Sequence, residues 1–200
     1  MKLEKPSIYI TGASCSGVTT LGSGLSSALG VRHVDCDDFY WYPTNPPFST
    51  KRPPADRVRL IEEALGEEGW VLSGSFDGWG DTLIENVNLI VFVYTPTPIR
   101  MARLLAREHE RYGNRILQSG DMYEIHTAFA AWAAQYDKPD FPGRNLARHE
   151  AWLGTQIAPV LHLDGTQAPW VLVSQVLAEQ QSLQVCLEPI CGSIRISFHN

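Results

Sequence analysis

The chain has no uncharged apolar stretch approaching the roughly 18 residues of a membrane-spanning helix, so a membrane protein is not expected. Its four cysteines, Cys15, Cys36, Cys186 and Cys191, are too few and too scattered for a disulfide framework. No CxxC pair occurs, and the C-x4-C of the tail lacks a second pair of ligands, which speaks against structural zinc. The histidines, among them His109, His126, His149 and His162, are dispersed without HxxxH spacing. Positive charge is not in excess either: 16 Lys and Arg face 22 Asp and Glu, a formal net charge of -6. Unspecific binding to nucleic acid is therefore disfavoured. Residues 1–6 carry charge but no apolar run follows, which argues against a secretory signal. A reduced, cytoplasmic protein is the expectation, as a monomer or homodimer.

What is present is an ordinary globular composition, 44% hydrophobic and 19% charged over 200 residues, enough for one buried core. Short apolar runs alternate with helical periodicities. Strands are predicted at 7–11, 31–36, 70–73, 89–94 and 160–163. Helices are predicted at 19–29 (Leu21, Leu25 and Leu29 spaced i, i+4, stopped by Gly30), 56–65, 99–111, 122–136, 145–153 and 170–183. Residues 42–54 are crowded with proline and read as a loop-rich excursion. This alternation predicts an α/β fold with a parallel sheet covered by helices on both faces. Residues 184–200 alternate apolar and polar positions and predict an added hairpin.

Between the first strand and the first helix lies Gly12-Ala13-Ser14-Cys15-Ser16-Gly17-Val18-Thr19-Thr20. Its spacing fits GxxxxGK[ST] at every position but the lysine. Glycines at both ends allow turns that aim successive N–H groups at an anion, and the helix amino terminus adds its dipole. Thr19 falls where a hydroxyl normally binds magnesium. Val18 supplies neither charge nor donor where a lysine would bridge the outer phosphates, so another cation is needed. Cys15, at a helix amino terminus, is expected to have a lowered pKa, although its simplest role is that of a small filler. The plain alternative for the whole segment is a small-residue turn.

A second motif, Asp35-Cys36-Asp37-Asp38-Phe39-Tyr40-Trp41, follows the second strand. Carboxylates at i, i+2 on a strand share one face, which would set Asp35 and Asp37 side by side next to the loop.

On these two motifs the chain resembles P-loop nucleotide and small-molecule kinases, in particular an adenylate-kinase-like group in which the loop lysine is replaced. The likeness covers about residues 7–180. The acidic segment resembles both the Asp-x-Asp of shikimate-kinase-like enzymes and the Asp-x-Phe-Tyr of uridine-kinase-like ones. Either alignment implies Asp37 as the base facing the acceptor and Asp35 as a magnesium ligand through water, beside Thr19. The resemblance also implies a domain spanning 1–183, a three-layer sandwich with an acceptor-binding insertion at about 38–68 and a helical lid at about 112–148. ATP and Mg2+ are implied as co-substrate and cofactor.

Within that frame Tyr40, Arg52 and Arg57 are candidates for the acceptor side, together with Trp41, Tyr42 and Lys51; a solvated helix face is the alternative for Arg57 and Arg59. Residues 72–78 match loosely the loop that faces the acceptor. Leu163-Asp164-Gly165-Thr166 matches the loop that borders the adenine. Arg100, Arg103, Arg107 and Arg111 recur every three or four residues and predict one helical stripe. Arg107 or Arg111, with Arg144 behind them, are expected to replace the lysine; Arg115 and Arg148 lie in the same lid. The resulting expectation is ATP-dependent phosphoryl transfer to a small-molecule hydroxyl or phosphate. Two alternatives stay open: a nucleotide-binding regulator without turnover, which Val18 favours, and a nucleoside-triphosphate hydrolase. The hydrolase has less in its favour, because the strand at 89–94 ends at Thr95-Pro96 rather than at an acidic pair.

Overall fold

A computed structural model describes residues 5–76 and 78–187. Five strands, β1 (Ile8–Gly12), β2 (Arg32–Asp35), β3 (Trp70–Ser73), β4 (Leu89–Tyr94) and β5 (Val160–Asp164), form one sheet in the order β2-β3-β1-β4-β5. All the pairings are parallel, with Ile8 opposite Val71 on one side and Leu89 on the other. β1 is buried along its whole length and β4 up to Tyr94. Their side chains must therefore be apolar on both faces, which is why both read as unbroken apolar runs.

The sheet separates two cores. On one face Ile8, Ile10, Val91 and Val93 pack against Leu21 and Leu25 of α1 (Val18–Leu29) and Leu172 and Val176 of α7 (Pro169–Leu187). On the other face Tyr9, Leu72, Ile90 and Phe92 pack against Ile61 and Leu65 of α3 (Pro54–Leu65) and Leu153 of α6 (Leu146–Leu153). Each fully buried leucine or isoleucine contributes about 1.5–3 kcal/mol relative to exposure.

The helices start and stop where the chain chemistry demands. α1 ends at Gly30, whose φ of 61° is left-handed and whose N–H donates to Ser26 O. α3 and α4 (Thr97–Tyr112) each carry proline in the first turn, where no N–H is missed. α6 is capped by Asn145, whose side chain accepts from Arg148 N at 2.8 Å and donates to Phe141 O at 2.6 Å. α5 (Tyr123–Ala133) precedes α6 in the chain and packs against α4.

Two expectations need correction. The second strand does not carry both acids: it ends at Asp35, and Asp37–Tyr40 forms a helical turn, α2. Asp35 Oδ1 accepts from Asp37 N at 3.0 Å, a local bond that competes with strand continuation. The last helix runs through Leu187, taking up residues 184–187 of the expected hairpin; the rest of that segment lies outside the described residues. Among the described residues no helix is long and apolar enough to cross a membrane.

Candidate functional site at the carboxyl edge of the sheet

Because the strands are parallel, their carboxyl ends share one edge: Gly12, Asp35, Ser73, Tyr94 and Asp164. β1 lies between β3 and β4, so successive connections leave it in opposite directions, and the loop after it opens at the crevice where α/β folds bind ligands.

The loop is held in shape by contacts that only small residues allow. A Cβ on Gly12 would stand 2.5 Å from both Ser16 Oγ and Val93 O. Cys15 and Gly17 take left-handed φ values of 63° and 109°, which turns the chain back on itself, and Ser16 N donates to Ala13 O at 3.1 Å. The first bond of α1 is Leu21 N to Gly17 O, so the helix leaves the N–H groups of Val18, Thr19 and Thr20 without intrahelical acceptors. Val18 packs against the apolar core beneath β1 and α7 rather than reaching over the loop.

Arginines converge on this loop from outside it. Arg100, 1% exposed, donates through Nη1 to Ser14 O at 3.4 Å and to Ala133 O at 3.3 Å, and through Nε to Thr95 O at 2.9 Å. It also bonds Thr97 Oγ1 and stands 3.8 Å from Asp137. Arg103 donates to Ser16 O at 3.3 Å and to Gly165 O at 2.9 Å. Arg144, which precedes the cap of α6, donates to Ser14 Oγ at 3.1 Å and lies 5.2 Å over Trp132. Arg107 pairs with buried Glu108 at 3.0 Å, while its Nε is buried without a partner. Arg111 is exposed, although its charge reaches Cys15. Arg115 is taken up by Asp121 at 2.6 Å and Asn45 at 3.1 Å. The predicted stripe on α4 thus divides into a buried anchor, a loop contact, a paired side chain and an exposed one.

The acidic motif sits on the other flank. Thr19 Oγ1 donates to Asp35 Oδ2 at 2.7 Å. A hydroxyl and a carboxylate side by side suit a hard divalent cation that takes its remaining ligands from water and phosphate. Asp37 is reached by solvent yet crowded by protein. That crowding is the main cause of its raised pKa, with the charge of Asp35 adding and those of Arg144 and Arg107 opposing. Asp37, Arg107 and Arg144 therefore share one electrostatic neighbourhood. The Cys15 thiol departs from expectation: burial pushes its pKa up, and the nearby arginines only partly offset this.

Of the acceptor-side candidates, Arg52 is spent locally, donating to Trp41 O at 3.2 Å and lying 4.6 Å over Tyr42. Tyr40 ends α2 and faces Arg57, whose guanidinium lies 3.8 Å above the ring. The solvated-face alternative fits Arg59, which is exposed and paired with Glu63 at 2.7 Å, but not Arg57, which is buried. Asp77, within the expected acceptor loop, lies outside the described residues.

Sequence reading missed the buried polar chain under the loop. Thr11 Oγ1 lies 3.1 Å from His149 Nε2, and His149 Nδ1 lies 2.9 Å from the Tyr136 hydroxyl. Burial holds the His149 pKa down at about 3 and pushes that of Tyr136 up. The neutral ring and protonated phenol are satisfied when Tyr136 donates to Nδ1 and Nε2–H donates to Thr11. Beside them a cavity of about 160 Å³ is lined by Tyr9, Phe76, Arg144, Arg148, His149 and Trp152, among others.

This is the three-layer α/β fold of shikimate-kinase-like P-loop proteins. A shikimate kinase from Acinetobacter baumannii, in complex with shikimate, aligns at a TM-score of 0.52 over 92% of this chain and 96% of that one, at 18% identity. A gluconokinase from Sinorhizobium meliloti 1021 gives 0.53 over 92% and 95%, at 17% identity. Likeness at such identities speaks for the fold alone. No protein-family model matches the chain. It is 41% identical over 161 residues to the uncharacterized protein YqaC of Bacillus subtilis (strain 168), spanning 80% of this chain and 89% of that protein. The chain belongs to the same family as YqaC.

Proposed function

We propose that the chain is a phosphotransferase that passes the γ-phosphate of ATP to a hydroxyl or phosphate of a small molecule. The observation that carries this reading is the bond from Arg144 to Ser14 of the phosphate loop, in the same neighbourhood as Asp37. A mobile cation is what a loop with valine at its lysine position lacks, and a guanidinium suits phosphate oxygens bidentately. The shikimate kinase and gluconokinase that share the fold act on small acceptors, which accords with the proposal.

In this reading the loop and the first turn of α1 bind the outer phosphates, and Arg144 leaves Ser14 to contact the transferring group. Asp37 orients the acceptor hydroxyl and takes its proton; a carboxylate pKa raised by desolvation makes it a stronger base. Thr19 and Asp35 would hold Mg2+, which would neutralise phosphate charge when bound. Arg103 and Gly165 would border the base.

A second reading, a nucleotide-binding regulator without turnover, is favoured by the packing of half-buried Val18 against the core. Calorimetric titration with ATP, with and without Mg2+, separates the two when the native protein is compared with Arg144→Ala and Val18→Lys. The expected result is Mg2+-dependent binding by the native protein, weakened about 10- to 100-fold in Arg144→Ala, the range of charge-assisted hydrogen bonds. Val18→Lys is expected to change affinity far less. Binding restored only by Val18→Lys, or unaltered by Arg144→Ala, would refute the assignment of Arg144. Product formed only when an acceptor is added supports transfer; acceptor-independent phosphate release supports hydrolysis, and binding without either supports the regulator.

A further inference from the structure

Glu108, just before the last turn of α4, is a buried carboxylate set between a guanidinium and an imidazole. Arg107 Nη2 donates to its Oε1 at 3.0 Å, and His126 Nδ1, in the first turn of α5, lies 3.7 Å from its Oε2. Neither neighbour is fully satisfied: among the described residues Arg107 Nε and His126 Nδ1 are both buried without a hydrogen-bond partner. Side chains at i and i+1 of a helix diverge by about 100°. Arg107 therefore folds back along its own helix to reach Glu108. A buried carboxylate is rarely left unpaired, and the dipole at the carboxyl end of α4 adds a further unfavourable field. Glu108 thus needs a cation at all times, and two candidates stand beside it.

Arg107 has a second call on its charge. Its field reaches Cys15 in the phosphate loop and Asp37 on the other flank. Its side chain is 36% exposed against 7% for that of Glu108, so of the two it has the room to turn. An anion in the loop would compete with Glu108 for the same guanidinium. The other charged groups around the cluster cannot take its place. Arg115, in the turn Gly113–Ile116, is held by Asp121, and Arg100 is held by the carbonyls of Thr95, Ser14 and Ala133. Arg111 and His109 on α4 are exposed, as are the acidic Glu110 and Glu124. Burial pushes the Cys15 pKa up, which keeps the thiol uncharged near neutral pH. That leaves His126, and imidazole is the side chain that exchanges a proton near neutrality.

We propose that Glu108 and His126 are a proton-coupled positioning pair for Arg107. Glu108 holds the guanidinium until an anion in the loop draws it away; His126 then takes one proton from solvent and becomes the partner of the carboxylate. Binding of a nucleoside triphosphate carries the uptake of up to one proton, and it tightens as pH falls through the range in which imidazole titrates. The proposal rests on the phosphotransferase reading for the anion, but the coupling among the three side chains can be tested without nucleotide.

The first test is an NMR titration of the His126 ring in the full chain, its signals identified by their loss in His126→Gln. Arg107→Met frees Glu108 of its guanidinium and should raise the His126 midpoint by about one pH unit or more. Arg107→Lys keeps the charge and should leave the midpoint near the native one. Glu108→Gln, close in shape to the native side chain, should lower it, and it carries the test alone if Arg107→Met does not fold. A merely structural Glu108 would not move the midpoint in opposite directions in the two variants; coinciding midpoints would overturn the proposal. The second test is calorimetric titration with ATP and Mg2+ at neutral pH in buffers of different ionisation enthalpy. The native protein should take up protons on binding that neither Glu108→Gln nor His126→Gln takes up. Binding with equal proton exchange in all three proteins would overturn the proposal and leave the phosphotransferase reading standing. Shifted midpoints with no ATP binding would remove that reading and overturn the part given to the anion, leaving only the pairing within the cluster.

Discussion

Acidification should destabilise this protein through His149. The ring is buried between Thr11 and Tyr136, and its pKa is held at about 3, chiefly by desolvation, against an ordinary value of 6.5. Above pH 6.5 the imidazole is neutral in both folded and unfolded chains and contributes no pH dependence. Below it the unfolded chain takes up a proton that the folded chain refuses, so stability falls with pH until the folded ring also titrates near 3. Each pH unit in that window costs about 1.36 kcal/mol, or roughly 2.7 kcal/mol at pH 4.5 and about 5 kcal/mol over the full span. Against a typical total of about 5–15 kcal/mol this is a large fraction.

The assay is urea unfolding of the native protein and of His149→Gln at pH 7 and pH 4.5. Glutamine cannot titrate, and at pH 7 it should cost about 1–2 kcal/mol for hydrogen bonds remade imperfectly. Every other titrating group is common to the two proteins, so the difference between their pH-induced losses isolates the ring. The native protein should lose about 2–3 kcal/mol more than the variant between the two pH values. Parallel losses would mean that His149 titrates normally, and the buried chain from Thr11 to Tyr136 would not be the rigid support described here.

Two further outcomes concern the site. Asp37→Asn should reduce acceptor-dependent turnover by about 10²- to 10⁴-fold. The native acid limb should lie above the ordinary carboxylate range, activity falling as pH drops through the raised Asp37 pKa; a limb at or below the normal range would exclude Asp37 as the base. Gly165→Ala would drive a Cβ to 2.1 Å from Thr95 Oγ1 and 2.9 Å from Ser16 O, so nucleotide affinity should drop while the urea midpoint changes less; native affinity by titration would show that this contact does not shape the loop.

Much of the scaffold was legible because it rests on local chemistry. β3 and β4 are apolar runs whose bounds follow from composition, and Gly30 ends α1 as a left-handed residue should. The loop from Gly12 to Thr20 was legible for the same reason, since its shape depends on small residues close together in sequence. Asp37 was misplaced because the i, i+2 spacing of the two acids says nothing of the side-chain bond that turns the chain out of β2. Spacing equally cannot tell Arg57 from Arg59; only the aromatic rings brought up by α2 and the loop around Trp79 make the first a buried cation. The contacts that complete the site join distant segments. Arg144 and Ser14 are 130 residues apart and His149 and Thr11 are 138 apart, and no periodicity carries such information.

If the loop binds phosphate as proposed, these distant contacts also explain how it tolerates valine. Arg100 donates to Ser14 O and Arg103 to Ser16 O, and Thr95 Oγ1 donates to Ser16 O as well, at 2.9 Å. Those carbonyls belong to the same peptide units as the N–H groups of Cys15 and Gly17. A hydrogen bond accepted at the oxygen polarises the unit and strengthens its N–H as a donor, by about 10–30%. On the proposed reading Arg100 and Arg103 would therefore act on a bound anion indirectly, through these peptide groups. Arg144 would act more directly, from its bond to the Ser14 hydroxyl. Charge that a lysine would concentrate at one point is spread over guanidinium groups fixed on α4 and beside α6, and position 18 is released to anchor α1 in the core. Arg100 and Arg103 donate to backbone carbonyls and Arg144 contacts the loop by a single side-chain bond, so on the proposed reading Arg144 is the cation that would follow a nucleotide as it enters.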